Sequence, residues 1–210
     1  MKTIKPYAIV AAIVMLIAGS SFVFSYNAPV ASVIANETID FPIPPVKDSM
    51  ASQKAFLAAY KVLMSPRCMN CHPKGDVPLQ GDDSHLHTQG VKRGVDGKGL
   101  YALKCANCHQ PQNSAGIHMP PGNPNWHLPP ANMKMVFEGK TPRELAAQLK
   151  DPKRNGNKTL AQLIDHVTND KLVLGGWSPG DGRTLPPLSH AEFAKNFKEW
   201  IDKGAYLPAK

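Results

Sequence analysis

Cysteine is scarce in this chain, with four residues among 210. All four fall in two copies of one short pattern, Cys-x-x-Cys-His, at residues 68–72 and 105–109. If each pattern acts as one chemical unit, no thiol remains for a disulfide framework or for a separate nucleophilic cysteine. The sequence therefore excludes cross-linking and nucleophilic catalysis as roles for cysteine, and it favours the binding of a metal or cofactor.

Clusters of basic residues are also lacking. Lysine and arginine exceed aspartate and glutamate by 24 to 16, which gives a net charge of +8, but the basic residues are scattered along the chain. Aromatic residues make up only 7% of the chain and are not interleaved with them. Nucleic-acid-binding proteins concentrate both residue types on one surface, so we expect no nucleic-acid partner. A basic docking face for an acidic partner protein remains open.

The two Cys-x-x-Cys-His patterns match the attachment site of a c-type haem. Two thiols three residues apart can form thioethers to the two vinyl groups of one porphyrin, and the adjacent imidazole can reach the iron from the same side. We therefore predict two covalently bound haems. The predicted attachment residues are Cys68, Cys71, Cys105 and Cys108, and the predicted axial ligands are His72 and His109.

Two other uses of paired cysteines are weaker explanations. A zinc site would need both pairs to converge on one metal, but 33 residues separate Cys71 from Cys105, and the histidine after each pair would have no role. A thioredoxin-like site needs a single pair in a βαβ unit, and no such unit is visible in the sequence.

The N-terminal segment has the features of an export signal. Lys2 and Lys5 precede an apolar run from residue 7 to residue 18, as in the charged and hydrophobic regions of a secretory signal. Small residues at 18–20 and 33–35 offer two cleavage sites, and the sequence does not choose between them. An uncleaved membrane anchor is the alternative, because residues 7–24 form a long, mostly apolar run. We expect a periplasmic or exported protein, with a membrane tether if residues 1–35 are retained.

Patterned segments predict short helices separated by long loops. Residues 49–64 and 190–203 each carry one apolar stripe, and Ser189 with Glu192 forms a capping box. An N-terminal helix before the haem motif, packed on a C-terminal helix, resembles class I cytochromes c. Further helices are predicted at 97–107, 142–149 and 160–169. We predict a mainly α, cytochrome c-like fold wrapped around two haems, with an extended leader at 36–48 and one dihaem domain at 49–210.

Each iron needs a sixth ligand unless it is catalytic. The candidates outside the motifs are His85, His87, His118, His127, His166, His190, Met119, Met133 and Met135. For the first haem, His87 or His85 can return across the ring from His72 through a loop of about a dozen residues. We favour His87, because Val91 just beyond it offers an apolar neighbour in a polar loop. For the second haem the order is His166, His127, Met119. We expect both irons to be six-coordinate and at least one to be bis-histidine, with His/Met ligation at the second haem as the alternative.

Beyond the haem motifs, the chain resembles the small dihaem cytochrome c subunits that accompany exported molybdenum hydroxylases of the isoquinoline 1-oxidoreductase and aldehyde-oxidising type. The resemblance covers about residues 50–208 and rests on short strings at 65–73, 80–83, 93–97, 120–126, 149–156 and 176–180. It implies that the chain accepts electrons from such an enzyme and passes them to the respiratory chain. With its thiols committed to haem, the chain has no ligand set for molybdenum or an iron-sulfur cluster.

These observations predict an electron-transfer protein rather than an enzyme. A dihaem peroxidase is the alternative, because it needs one iron with an open sixth position. Known dihaem peroxidases are larger and hold their haems in two similar domains, whereas this sequence has no internal repeat beyond its shared Cys-x-Asn-Cys-His. A haem-based sensor would need a signalling domain, and none is visible.

Overall fold

Helices provide most of the regular structure in residues 46–209, the part of the chain that the computed structural model describes. The helices are α1 (Ser49–Leu63), α2 (Pro66–Met69), α3 (Pro142–Lys150), α4 (Leu160–Asn169), α5 (Lys171–Leu174) and α6 (His190–Asp202). The four strands, β1 (Leu79–Gln80), β2 (His85–Leu86), β3 (Gly99–Leu100) and β4 (Leu103–Lys104), form two antiparallel hairpins, β1–β2 and β3–β4. Single 3₁₀ turns lie at Cys105–Asn107 and Gly175–Trp177. The predicted mainly α class is confirmed.

The first and last long helices pack against each other, as the sequence predicted. Asp48 caps α1 by accepting a hydrogen bond from the backbone N–H of Ala51 at 3.0 Å. Most residues of the apolar stripe on each helix are buried, and the rings of Phe56 and Trp200 lie with their centroids 4.7 Å apart. The buried hydroxyl of Ser52 donates to the carbonyl of Trp200 at 2.8 Å. This pairing forms the centre of the hydrophobic core.

Helices α3 and α4 begin where the sequence predicted them. Thr141 with Glu144, and Thr159 with Gln162, form reciprocal capping boxes, which satisfy backbone donors that a helix start leaves free. The third predicted box, at the start of α6, is also present. The apolar faces of α3 and α4 then join the core beside α1 and α6.

The predicted helix at 97–107 is wrong. Gly97 and Gly99 adopt positive φ angles of 76° and 92°, which a right-handed helix does not contain. They lead into the β3–β4 hairpin, whose Tyr101 is also left-handed (φ 49°). A Cβ on Gly99 would lie 2.3 Å from the carbonyl oxygen of Leu103, so this tight turn depends on glycine.

Long loops complete the fold, and a buried arginine ties two of them together. Residues 110–141 contain neither helix nor strand. The side chain of Arg93 is only 1% exposed, and its guanidinium donates to the carbonyls of Gly75 at 3.1 Å and Pro129 at 2.6 Å. A buried cation needs such partners to offset its lost hydration. Arg93 thereby joins the segment after the first motif to the segment before α3.

The predicted export signal at 1–35, and residues 36–45 of the predicted leader, lie outside the described residues. Residues 46–48 precede α1 without regular structure. Within residues 46–209, no helix combines the length and the hydropathy needed to cross a bilayer.

Replacing Phe56 by alanine should lower the free energy of unfolding by about 3–5 kcal/mol, because it leaves a cavity at the contact with Trp200. Urea unfolding followed by circular dichroism measures the difference. Met50→Ala on the same helix is the matched control, since Met50 is 82% exposed and should change stability by less than about 0.5 kcal/mol. Similar losses for both variants would contradict the proposed α1–α6 core.

Candidate functional site

The first Cys-x-x-Cys-His pattern winds around one helical turn. Pro66 starts α2 in the position where a missing N–H costs nothing, and α2 carries Cys68. The backbone N–H of Cys71 then donates to the carbonyl of Cys68 at 3.2 Å, and that of His72 to the carbonyl of Met69 at 2.9 Å. This winding brings both thiols and the imidazole to one side of the chain.

The ring of His72 is fixed on two sides. Its Nδ1 lies 2.7 Å from the carbonyl oxygen of Met135, and its face stacks on Phe137 with centroids 3.9 Å apart and planes within 9°. A carbonyl oxygen only accepts hydrogen bonds, so Nδ1 carries the proton and Nε2 has a free lone pair. Burial lowers the pKa of His72 to about 4. The ring is therefore neutral at pH 7, which is the form that binds a metal.

The second pattern repeats this winding after the β3–β4 hairpin. The backbone N–H groups of Cys108 and His109 both donate to the carbonyl of Cys105, at 3.2 and 2.9 Å. Gly97 links this motif to the following loop, since its carbonyl accepts a hydrogen bond from the N–H of Leu128 at 2.9 Å and lies 3.9 Å from the thiol of Cys105. The hairpin therefore holds the second motif against the loop that follows it.

The ring of His109 has the same surroundings as that of His72. Its Nδ1 lies 2.7 Å from the carbonyl oxygen of Pro121, and it stacks on Trp126 with centroids 4.1 Å apart and planes within 7°. Burial again lowers the pKa of the imidazole. Gly122 permits this loop to close, because a Cβ at that position would lie 2.0 Å from the backbone of Gln112. Both motif histidines thus present a neutral Nε2.

A single large cavity contacts both motifs. Its volume is about 1220 Å³, and all four cysteines and both motif histidines line it. Pockets for one drug-sized ligand usually measure about 300–1,000 Å³, so this cavity exceeds the usual space for one such molecule. Removal from water raises the pKa of Cys68 to about 12 and that of Cys71 to about 11. These thiols are uncharged at pH 7, and none of the four cysteines forms a disulfide.

Most of the predicted sixth ligands line this cavity. They are His85, His87, His118, His127, His166, Met133 and Met135. Met119, the last choice for the second haem, is not brought together with them and is 45% exposed. The Nδ1 of His85 bonds to Asp83 at 2.6 Å, that of His127 lies 2.6 Å from the carbonyl of Asn125, and that of His166 lies 3.1 Å from a carboxylate oxygen of Asp170.

The neighbours of His87 differ from the expected ones. Loop length predicted a return to His72, but the ring of His87 lies beside the other motif histidine, His109, with centroids 6.3 Å apart. The β1–β2 hairpin accounts for the difference, because it reverses the chain before His87. His166, expected at the second motif, instead lies close enough to His72 to lower the pKa of that imidazole.

Several residues at the site carried no signal in the sequence. Phe137 and the carbonyl oxygens of Met135 and Pro121 hold the motif histidines, but backbone carbonyls are present at every position. Arg67 lines the cavity and pairs with Asp82 at 2.5 Å. An arginine before the first cysteine could have suggested an anion or carboxylate partner.

Among residues 46–209, no three histidine, cysteine, aspartate or glutamate side chains converge as metal ligands. The zinc alternative needs such a convergence of the two cysteine pairs. Comparisons with protein-family models, with curated proteins and with solved structures found no match to the chain. Its function is therefore inferred from its own residues.

Gly97→Ala should cost about 1–3 kcal/mol more stability than Gly90→Ala, measured as the free energy of unfolding in urea. Both glycines have positive φ, so both substitutions share the backbone penalty. They differ in space: a Cβ on Gly97 would lie 1.9 Å from the carbonyl oxygen of Leu128, whereas nothing lies within 4 Å of one on Gly90. Equal losses would contradict the packing of the second motif against its loop.

Proposed function

We propose that the chain is a dihaem c-type cytochrome that transfers electrons. One haem would be attached at Cys68 and Cys71 with His72 as axial ligand, and the other at Cys105 and Cys108 with His109. The observation that carries the proposal is the repetition of one arrangement at both motifs: a neutral imidazole with Nδ1 on a backbone carbonyl, its ring on a flat aromatic face and its Nε2 free.

The residues at each motif fit a covalently attached haem. Two free thiols on one turn supply the thioether bonds, and the adjacent imidazole supplies a nitrogen ligand. A hydrogen bond from the other ring nitrogen is the usual support of a metal-binding histidine, because it fixes both the tautomer and the ring orientation. Bound haem supplies an iron that changes oxidation state by one electron. The protein supplies the ligands, their orientation and a cavity with largely apolar walls.

The cavity volume supports two cofactors in one domain. Both motifs face the same space of about 1220 Å³, and residues 46–209 belong to one compact unit. Two porphyrins would fill this space with apolar surface and so compensate for the small number of buried side chains in the loops. A shared cavity also suits electron transfer between the two sites.

Electron transfer is favoured over peroxidase chemistry by the histidines in the cavity. Five candidate imidazoles outside the motifs line it, so nitrogen donors for the sixth position of each iron would be available within the cavity. A peroxidase needs one position left open or displaceable. Bis-histidine ligation gives a lower reduction potential than histidine with methionine, which suits acceptance from a low-potential donor.

The proposed donor is an exported molybdenum hydroxylase, on the strength of the resemblance in the short strings between residues 65 and 180. The chain would accept electrons from that enzyme and pass them towards the respiratory chain. Export to the periplasm fits this role, because covalent haem attachment in bacteria takes place outside the cytoplasmic membrane. The N-terminal segment would be the export signal or a membrane tether.

Purified protein should carry two haems per chain that survive denaturation. Intact-protein mass spectrometry and haem staining of a denaturing gel measure this. Replacing both Cys68 and Cys71 by serine should leave one haem, and so should replacing both Cys105 and Cys108, because each pair holds its own porphyrin.

The two double variants control for each other, since each keeps one motif intact. A wild-type protein with no covalent haem, or with one, would contradict the proposal. Rapid peroxide turnover by wild-type protein, together with a high-spin ferric fraction, would favour the peroxidase alternative.

A further inference from the structure

We propose that His87 binds the same iron as His109, from the opposite side of the second haem. This inference rests on the proposed function, and it assigns the sixth ligand of one iron. It replaces the pairing of His87 with the first motif that loop length predicted. The evidence is the separation of the two rings, an unsatisfied nitrogen on His87 and the way the chain fixes that residue.

The separation of the two rings matches the space for one metal ion between them. Metal to imidazole-nitrogen bonds are about 2.0–2.1 Å long, and a ring nitrogen lies roughly 1.1 Å from its ring centre, so two imidazoles on opposite sides of one metal have centres about 6.2–6.4 Å apart. The centroids of His87 and His109 are 6.3 Å apart. Both residues also line the cavity.

Direct edge-to-face packing would also permit this distance, since aromatic pairs span about 4.5–7 Å between centroids. Packing alone, however, leaves a polar atom unexplained. The Nδ1 of His87 is buried and has no hydrogen-bond partner among the described residues, which is unfavourable for a polar atom that has lost its contact with water. Each motif histidine, by contrast, has its Nδ1 on a carbonyl. An imidazole held in a cavity with free bonding capacity is suited to a ligand that the polypeptide does not supply.

The backbone holds His87 in this position. The β1–β2 hairpin pairs Leu79 with Leu86, and the N–H of His87 donates to the carbonyl of Pro78 at 2.9 Å. Its own carbonyl accepts from the N–H of Gly90 at 2.9 Å. His87 is therefore presented by a hydrogen-bonded turn rather than by a free loop, as a preorganised ligand requires.

His166 is then available to the iron of the first motif. It lies on α4 and lines the cavity, and its Nδ1 is 3.1 Å from a carboxylate oxygen of Asp170. A carboxylate on the second ring nitrogen is a common support of metal-binding histidines. The sixth ligands would thus be crossed: the segment between the motifs serves the second haem, and a helix beyond both motifs serves the first.

The test uses the purified dihaem protein carrying His87→Ala. One of its two irons should become high-spin and, once reduced, should bind carbon monoxide, while the other stays low-spin. To identify the haem, the same substitution is made together with Cys68→Ala, which leaves the first haem with a single thioether and shifts its ferrous band to longer wavelength. Carbon monoxide should then change the unshifted band, which belongs to the second haem.

The matched control is His190→Ala, because His190 lies outside the cavity lining and its Nε2 bonds to the carbonyl of Val167; both irons should stay low-spin. His87→Met is the second variant, in case the alanine variant does not accumulate. It should give one iron the weak long-wavelength ferric band of histidine–methionine ligation.

Two low-spin irons in His87→Ala, a shifted band that responds to carbon monoxide, or no new band in His87→Met would each overturn the inference. All three results would leave two covalent haems on the protein, so they are distinct from failure of the proposed function. That failure would already appear in the wild-type haem count.

Discussion

The contact between α1 and α6 fixes the frame on which the other segments depend. These helices lie at opposite ends of the described chain, and their packing around Phe56 and Trp200 closes everything between them into one unit. Helix α2 follows α1 after two residues, so the contact between α1 and α6 also fixes the position of the first motif. The intervening loops have few buried apolar residues of their own. They are held in place by the frame of α1 and α6 and by the hydrogen bonds of the buried Arg93.

The helices were largely predictable because their signals are local. Capping residues and apolar stripes at 49–64, 141–150, 159–169 and 189–203 act within one or two turns, and a reader of the sequence can count them. The error at 97–107 has the opposite origin. The conformation of this segment is decided by Gly97 and Gly99, whose close approaches involve Leu128 and the chain beyond the turn.

The candidate site also has one part that could be predicted from the sequence and another that could not. The proposed attachment residues and motif histidines could be named from five-residue patterns, because the thioether chemistry of the proposed haems would dictate the spacing. Their supports could not, since Met135 and Pro121 contribute carbonyl oxygens that every residue possesses. Which motif histidine lies beside His87 depended on the direction of the short β1–β2 hairpin. Loop length limits how far a chain can reach, but it does not specify the direction in which the chain returns.

The suppressed ionisation of Cys68 and Cys71 bears on whether the proposed haem would be attached before or after the chain folds. Their pKa values near 12 and 11 arise because the folded chain removes these thiols from water. Thioether formation needs a reactive thiol, and the thiolate is the nucleophilic form. In the unfolded chain the same residues ionise near pH 8.5 and are open to an assembly enzyme. In the proposed cytochrome, attachment of haem to the first motif would therefore be favoured on the unfolded polypeptide, before folding removes these thiols from water.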